Sequence, residues 1–183
     1  MTTRAGVPTL WLLGDPVAHS LSPLIQNVAL KSLGEPAVYL AARVKGADLL
    51  EVVDCLPKLG ALGANVTVPH KVAVRRGCST LTERAETIGA VNTLLFRDGT
   101  VLGDNTDGVG WWESLKEARA LYRFERAVVI GAGGAARAVA YTSLAQGVRE
   151  VVLLNRTVDR AQELVHDLET RFPESSVTSG DLA

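Results

Sequence analysis

Apolar residues along this chain fall in short runs, each closed by glycine, proline or a polar pair. "TLWLLG" (9–14), "AVYLAARV" (37–44) and "GANVTV" (63–68) are too short for helices, and they predict strands. Between them the apolar positions recur with helical spacing. "SPLIQNVALKSLG" carries helix punctuation: Ser22 as N-cap, Pro23 at the first helical position and Gly34 just past the end. "ADLLEVVDCLPKLG" (47–60) and "TLTERAETIG" (80–89) read as further helices, each ended by glycine. In "AVNTLLFRDGTVLGDN" (90–105), Asp98-Gly99 sits between two apolar runs and predicts a hairpin. "TDGVGWWESLKEARAL" (106–121) predicts a linking helix.

A second region then opens with "RAVVIGAGGAARAVAYTSLAQGVREVVLLNRT" (126–157), which reads strand, glycine turn, helix, strand. "VDRAQELVHDLETRF" (158–172) predicts a helix and "SSVTSG" (175–180) a third strand. Alternation of strands and helices predicts an α/β protein with a mostly parallel sheet. The expected organisation is an α/β domain over 1–105, a linking helix over 106–122 and a partial dinucleotide-binding domain over 123–183. A βαβαβ array is the first half of a Rossmann domain, so the second half is expected to be missing from this chain.

Composition narrows the partner classes. The 183 residues are 47% hydrophobic and 21% charged, enough apolar surface for an ordered globular chain. Lys and Arg number 19 against 20 Asp and Glu, for a net charge of −1, so no basic field exists to gather nucleic acid. The apolar stretch "VPTLWLLG" is too short to span a bilayer, and no membrane role is expected. Cys55 and Cys78 lack metal-ligand spacing, as do His19, His70 and His166, so no metal site is expected. Reduced cysteines suit a cytoplasmic protein.

Residues 131–136 read Gly-Ala-Gly-Gly-Ala-Ala, the G-x-G-x-x-A form of the dinucleotide fingerprint. Gly131 permits the tight turn, Gly133 lets backbone approach a pyrophosphate, and Ala136 keeps helix and strand close. The helix N-terminus offers N–H groups and partial positive charge to phosphates. NAD binding calls for a carboxylate about 20 residues on, at the end of the second strand. This chain has Asn155-Arg156-Thr157, with Arg160 a helical turn later. A guanidinium binds a 2′-phosphate that a carboxylate repels, so NADP is the expected cofactor. The ordinary alternative is that Asn155 or Thr157 caps the next helix and both arginines are solvated.

Four stretches concentrate polar residues at expected strand ends: "HSLSP" (19–23), "NVTVPHK" (65–71), "AVNT" (90–93) and "GDNTDGVG" (103–110). Ligands of open α/β sheets sit outside the carboxyl ends of the strands, so these stretches are expected to converge on one site. Their hydroxyls, amides, Lys71 and Asp107 suit a small ligand with hydroxyl groups and a carboxylate. Each residue also has an ordinary reading. Ser22 caps a helix, Asn65 and Thr67 alternate on the wet face of a strand, Asn92 sits in a turn, and Asp107 starts a helix. Ser20 has no such structural role in the pattern.

"GDPVAHSLSP…N", "NVTVPHK", "GAVNT", "GDNTDGVG", "GAGGAARA" and "NRT" follow in order along nearly the whole chain. In this series the sequence resembles the shikimate dehydrogenase family. The resemblance implies an N-terminal substrate domain, a C-terminal Rossmann domain and a cleft between them. It implies reversible hydride transfer between NADPH and 3-dehydroshikimate. Ser20 and Ser22 would hold the substrate carboxylate, while Asn65, Thr67, Asn92 and Asp107 would bind its hydroxyls. Lys71 is implied as the catalytic lysine, with Asp107 its partner. Gly131, Gly133, Gly134 and Ala135 would line the pyrophosphate, and Asn155, Arg156, Thr157 and Arg160 the adenosine 2′-phosphate.

Two features depart from the family pattern. Gln26 replaces the usual histidine before Asn27, with a minor effect expected. The chain also lacks the family's later residues, including a helix that returns a glutamine to the ligand. The resemblance therefore implies a C-terminally truncated chain of uncertain activity, with its last strand left as an edge through which a homodimer would pair. Two other functions remain open: a non-catalytic binder of shikimate-like ligands, and a quinate/shikimate dehydrogenase of different ring preference. The paired serines favour shikimate and Arg156 favours NADP.

Overall fold

The computed structural model describes residues 6–118 and 125–182. The chain divides into two compact units, Met1–Asp104 and Asn105–Ala183. The expected end of the linking helix, 119–122, lies outside the described residues.

The first unit is built on one six-stranded sheet. Its strands are β1 (Thr9–Gly14), β2 (Val38–Arg43), β3 (Ala61–Val66), β4 (Thr80–Leu81), β5 (Thr93–Arg97) and β6 (Thr100–Asp104), in the order β2-β1-β3-β5-β6-β4. β1 pairs in parallel with β2 and β3, and β4 with β6; β5 runs antiparallel to both its neighbours. The sheet is therefore mostly parallel, as the strand–helix alternation predicts. Asp98 and Gly99 both have positive φ, 51° and 73°, which joins β5 to β6 through the predicted two-residue turn.

Helix α1 (Ser22–Leu33) follows β1, and Gly34 closes it in the left-handed conformation. α1 is largely exposed, and a polar clamp holds it to the sheet. Asn27 Nδ2 donates to the Pro23 and Tyr39 carbonyls at 2.7 and 2.8 Å, and its Oδ1 accepts from the Tyr39 amide at 2.9 Å. A single side chain thus satisfies both backbone groups of a strand residue, which buried backbone requires. α2 (Leu49–Lys58) buries Leu49, Val53 and Leu56, the i, i+4, i+7 stripe of an amphipathic helix. These pack with Leu13, Val66, Val74, Val91 and Leu94 in the core of this unit.

Three sequence expectations shift here. β3 begins at Ala61 and ends at Val66, so Thr67 lies past the strand rather than on it. The helix expected over 80–89 is only α3 (Glu83–Ile88). Thr80 and Leu81 instead pair with Leu102 and Gly103, because the β6 edge offers them a ladder before Thr82 caps the helix. Thr82 Oγ1 accepts the Ala85 N–H and donates to Asp104 Oδ1. Finally, Ser22 is the first helical residue and not the N-cap, a position Leu21 takes.

The second unit opens with α4 (Asp107–Glu117), followed by β7 (Arg126–Ile130), α5 (Gly134–Ala145), β8 (Glu150–Leu154), α6 (Val158–Arg171) and β9 (Ser176–Gly180). Its sheet is all parallel, in the order β7-β8-β9. α6 buries Ala161, Leu164 and Leu168 against Val151, Leu153 and Val177. α4 and α5 pack backbone to backbone at Gly108. A Cβ there would lie 2.8 Å from the Ala138 carbonyl oxygen and collide with Thr142 Oγ1.

Overpacking of this kind costs about 1–3 kcal/mol. Gly108→Ala is expected to lower unfolding free energy by about that amount, read from urea denaturation. Gly110→Ala, two residues along the same helix with nothing within 4 Å of its Cβ, is expected to stabilise by up to about 1 kcal/mol.

Candidate functional site

The reversal of β5 decides where the polar residues of the first unit gather. β1, β3 and β6 all end at the same edge of the sheet, and β5, running the other way, begins there. Thr93 lies opposite both Asn65 of β3 and Asp104 of β6. Asn92, just before β5, donates its backbone N–H to the Asp104 carbonyl and accepts from Val66 N. The loop after β3 is tied to the end of β1 by Thr67 N donating to Leu13 O and Asp15 N donating to Val68 O. The Lys71 carbonyl accepts from Val91 N at 2.7 Å, which holds the lysine backbone beside the residues leading into β5. Ser20, Asn65, Thr67, Lys71 and Asn92 thus come to one end of one sheet.

Their side chains differ in what they are bound to. Ser20 Oγ accepts the Ser22 N–H at 3.2 Å and donates to Ser22 Oγ at 3.1 Å. The sequence assigned the structural role to Ser22; the structure gives it to Ser20, whose hydroxyl caps the first turn of α1 from two residues upstream. The pair remains half-buried, with two hydroxyls side by side at a helix N-terminus, a pattern suited to a carboxylate. His70 is a buried structural histidine, its Nε2 2.7 Å from the Val44 carbonyl. It anchors the loop that carries Lys71.

Asn65 is held by protein groups on both sides of its amide. Its Oδ1 accepts from Tyr39 Oη at 2.8 Å, and its Nδ2 approaches Asn92 O at 3.4 Å and Thr93 Oγ1 at 3.3 Å. Thr93 Oγ1 donates in turn to Asn92 Oδ1 at 2.8 Å. Sequence reasoning missed Tyr39 and Thr93. Thr93 stood in the quoted "AVNT" and was passed over; Tyr39 lay in an apolar strand with no signal beyond its hydroxyl.

In the second unit Asp107 is the first residue of α4, where a carboxylate complements the helix dipole. Its backbone N–H donates to Oδ1 of Asn105, which is itself buried. Asn105 was also missed, although Asn two residues before a helix start is an Asx-turn signal. Asp107 belongs to the second unit and Lys71 to the first.

The glycine turn joins β7 to α5. Gly131 has φ 115°, open to glycine and costly for other residues, and its N–H donates to the Leu154 carbonyl. A Cβ on it would touch the Ala136 methyl at 3.7 Å, so Ala136 sits against the turn as the fingerprint requires. Gly133 occupies the N-cap position, and no atom lies within 4 Å of where its Cβ would be. Gly134 and Ala135 begin α5. Open space at the Gly133 Cβ position, beside the backbone N–H groups that begin α5, fits a phosphate cradle.

β8 ends beside β7, Ile130 opposite Leu154, so residues 155–160 emerge next to the glycine turn. Asn155 Nδ2 donates to the Thr157 carbonyl at 2.7 Å and shapes this corner. Thr157 takes the N-cap position of α6 without a side-chain capping bond. Arg156 and Arg160 are exposed. Among the described residues no cluster of metal-ligating side chains occurs, and no helix is long and apolar enough to cross a membrane.

Together these features define a two-unit α/β protein with a dinucleotide-binding βαβαβ array. Residues 12–94 match the model for the shikimate dehydrogenase substrate binding domain, and residues 115–178 the model for shikimate / quinate 5-dehydrogenase. The chain belongs to the shikimate dehydrogenase family. It is 47% identical over 161 residues to a shikimate dehydrogenase (NADP(+)) from Methanopyrus kandleri, covering 87% of this chain and 56% of the relative. A shikimate 5-dehydrogenase from Thermus thermophilus, solved with NADP(H) and shikimate, is 35% identical with a TM-score of 0.81. That match covers 93% of this chain and 62% of the other. A quinate dehydrogenase from Corynebacterium glutamicum, solved with NAD, is 29% identical with a TM-score of 0.85, covering 95% and 64%. The chain thus spans little more than half the length of the curated relatives it matches.

Burial pushes the Tyr39 phenol up from 10.0 to about 12. The folded chain then keeps a proton that the unfolded chain releases above pH 10, so this contribution to stability is complete below pH 10 and is lost as pH rises toward 12. Burial also pushes the Cys78 thiol up to about 11, against a smaller opposing pull from Arg75, and adds to the same decline from pH 9. Denaturation midpoints measured from pH 8 to 12 are expected to fall less steeply in Tyr39→Phe.

Proposed function

We propose that this chain carries the substrate site and the leading half of the cofactor site of an NADP-dependent shikimate dehydrogenase, which reduces 3-dehydroshikimate reversibly to shikimate. The observation that carries the reading is the convergence at one sheet end of two adjacent hydroxyls, a lysine and an oriented asparagine. It is joined in the same chain by a glycine turn with arginines at the neighbouring strand end.

In this reading Ser20 and Ser22 receive the substrate carboxylate at the start of α1. Asn65, Thr67, Asn92 and Asp107 hold the ring hydroxyls. Bound NADPH supplies the hydride. Lys71 stabilises the negative charge that develops on the ketone oxygen and delivers a proton to it. Asp107 is the partner that keeps the lysine and a ring hydroxyl in register. Gly131, Gly133, Gly134 and Ala135 line the pyrophosphate. Arg156 and Arg160 bind the 2′-phosphate, with Asn155 and Thr157 shaping the corner between them. The choice of NADP over NAD follows from Arg156 standing where a carboxylate would serve the ribose. The reading includes a cytoplasmic setting, no nucleic-acid partner, and a homodimer paired along the β9 edge, which sedimentation would reveal as a doubled mass.

Calorimetric titration of the purified chain with shikimate and NADPH, each alone, is expected to give saturable binding of both; binding of neither would overturn the reading. Lys71→Ala is expected to lower kcat about 10²–10⁴-fold with KM for shikimate little changed, followed by NADPH absorbance. Arg156→Ala is expected to weaken NADPH about 10- to 100-fold while leaving NADH unaffected, the loss of a charge-assisted contact to phosphate.

A further inference from the structure

Helices are ordinarily held to a sheet by an apolar stripe, and α1 has none. None of its residues is buried, and Leu24, Ile25 and Val28 are exposed. Ser22, Pro23, Asn27 and Leu30 are half-buried, and Leu30 packs with Leu12, Val17 and Tyr39. The other hold on the helix is the polar clamp of Asn27. β2, which the clamp grips, is the last strand of its sheet. Val38 N donates to the Pro8 carbonyl and Val44 N to the Gly14 carbonyl, both at 3.0 Å, so the backbone groups of the even-numbered residues face β1. Those groups alternate in direction along a strand, so the Tyr39 N–H and C=O face outward, where no strand lies. The Asn27 amide fills that place. Its Oδ1 accepts from Tyr39 N and its Nδ2 donates to Tyr39 O, as one residue of a neighbouring strand would.

The second proton of Asn27 Nδ2 goes to the Pro23 carbonyl at 2.7 Å. A reversed amide would set its oxygen against two carbonyls and its nitrogen against an N–H, so one orientation satisfies all three bonds. Pro23 directly follows Ser22, whose N–H and hydroxyl are both bonded to Ser20 Oγ. Ser20 N in turn donates to the Val17 carbonyl at 3.0 Å, and Val17 packs with Tyr39. The hydroxyl pair thus hangs between two supports that both end at Tyr39: the loop through Val17 and the helix through Asn27.

We propose that Asn27 is a positioning residue that sets the first turn of α1, and with it the Ser20–Ser22 hydroxyl pair, against the outward edge of β2. Apolar contact is non-directional and lets a helix slide; three directed bonds to one amide admit a single register. Asn27 acts through the serines and not on the ligand. That the pair receives a carboxylate rests on the reading above, but its placement belongs to the ligand-free chain.

Asn27→Leu keeps much of the side-chain volume and removes all three bonds. In the ligand-free chain, 15N-edited NMR is expected to show the amide protons of Tyr39 and Ser22 exchanging with water about tenfold faster in this variant, and that of Val38 unchanged. In calorimetry the variant is expected to bind shikimate about tenfold more weakly and NADPH as the parent does. In a Ser22→Ala background the further loss from Asn27→Leu is expected to shrink below about threefold, because the two residues act as one unit. An unchanged Ser22 amide would overturn the proposal whatever the affinities. Losses that add in full would overturn it too, since they mark an Asn27 that only stabilises the fold. If the parent chain binds no shikimate, the functional reading falls and the Ser22 amide alone decides the placement. Should Asn27→Leu not fold, Asn27→Asp takes its place in both arms. Its carboxylate still accepts from Tyr39 N, so that amide is expected to stay protected while the Ser22 amide is freed.

Discussion

One reversal of chain direction governs the first unit. β5 enters an otherwise parallel sheet head-down, between β3 and β6. Had it run with its neighbours, Asn92 and Thr93 would emerge at the far edge, away from the ends of β1 and β3. The Asp98-Gly99 turn makes the reversal possible, since two positive φ angles match the twist of an antiparallel pair. From this follow the meeting of the Asn65 and Thr93 side chains and the backbone bonds that seat Asn92 and Lys71.

The second unit obeys a simpler rule. Three parallel strands with helical crossovers put the ends of β7 and β8 side by side. The glycine turn and the strand end bearing Arg156 are neighbours for that reason alone. Small residues along α5 let it lie close to its neighbours, and Arg137 pairs with Asp167 of α6 at 2.8 Å. The turn is therefore set on a braced helix.

Much of this was legible in the sequence because it rests on local rules. The strands of the second unit, the Gly34 and Gly89 stops and the Asp98-Gly99 hairpin each follow from residues within one turn of the place they act. The errors have the opposite origin. Thr80 and Leu81 became a strand because β6, twenty residues on, offered an edge. Ser20 and Ser22 exchanged roles because two hydroxyls at a helix start are equivalent in pattern, and only the backbone path decides which one caps. Tyr39 could not be singled out, since its importance comes from Asn65, 26 positions away. The polar stretches at this sheet end were visible as types of residue. Which side chain holds which neighbour depends on bonds between strands.

The missing side chain at Gly108 has a mechanical consequence. With no Cβ to keep them apart, α4 and α5 lie in direct main-chain contact. The carboxylate at the head of one helix and the glycine turn at the head of the other are thereby tied through one helix-to-helix seam.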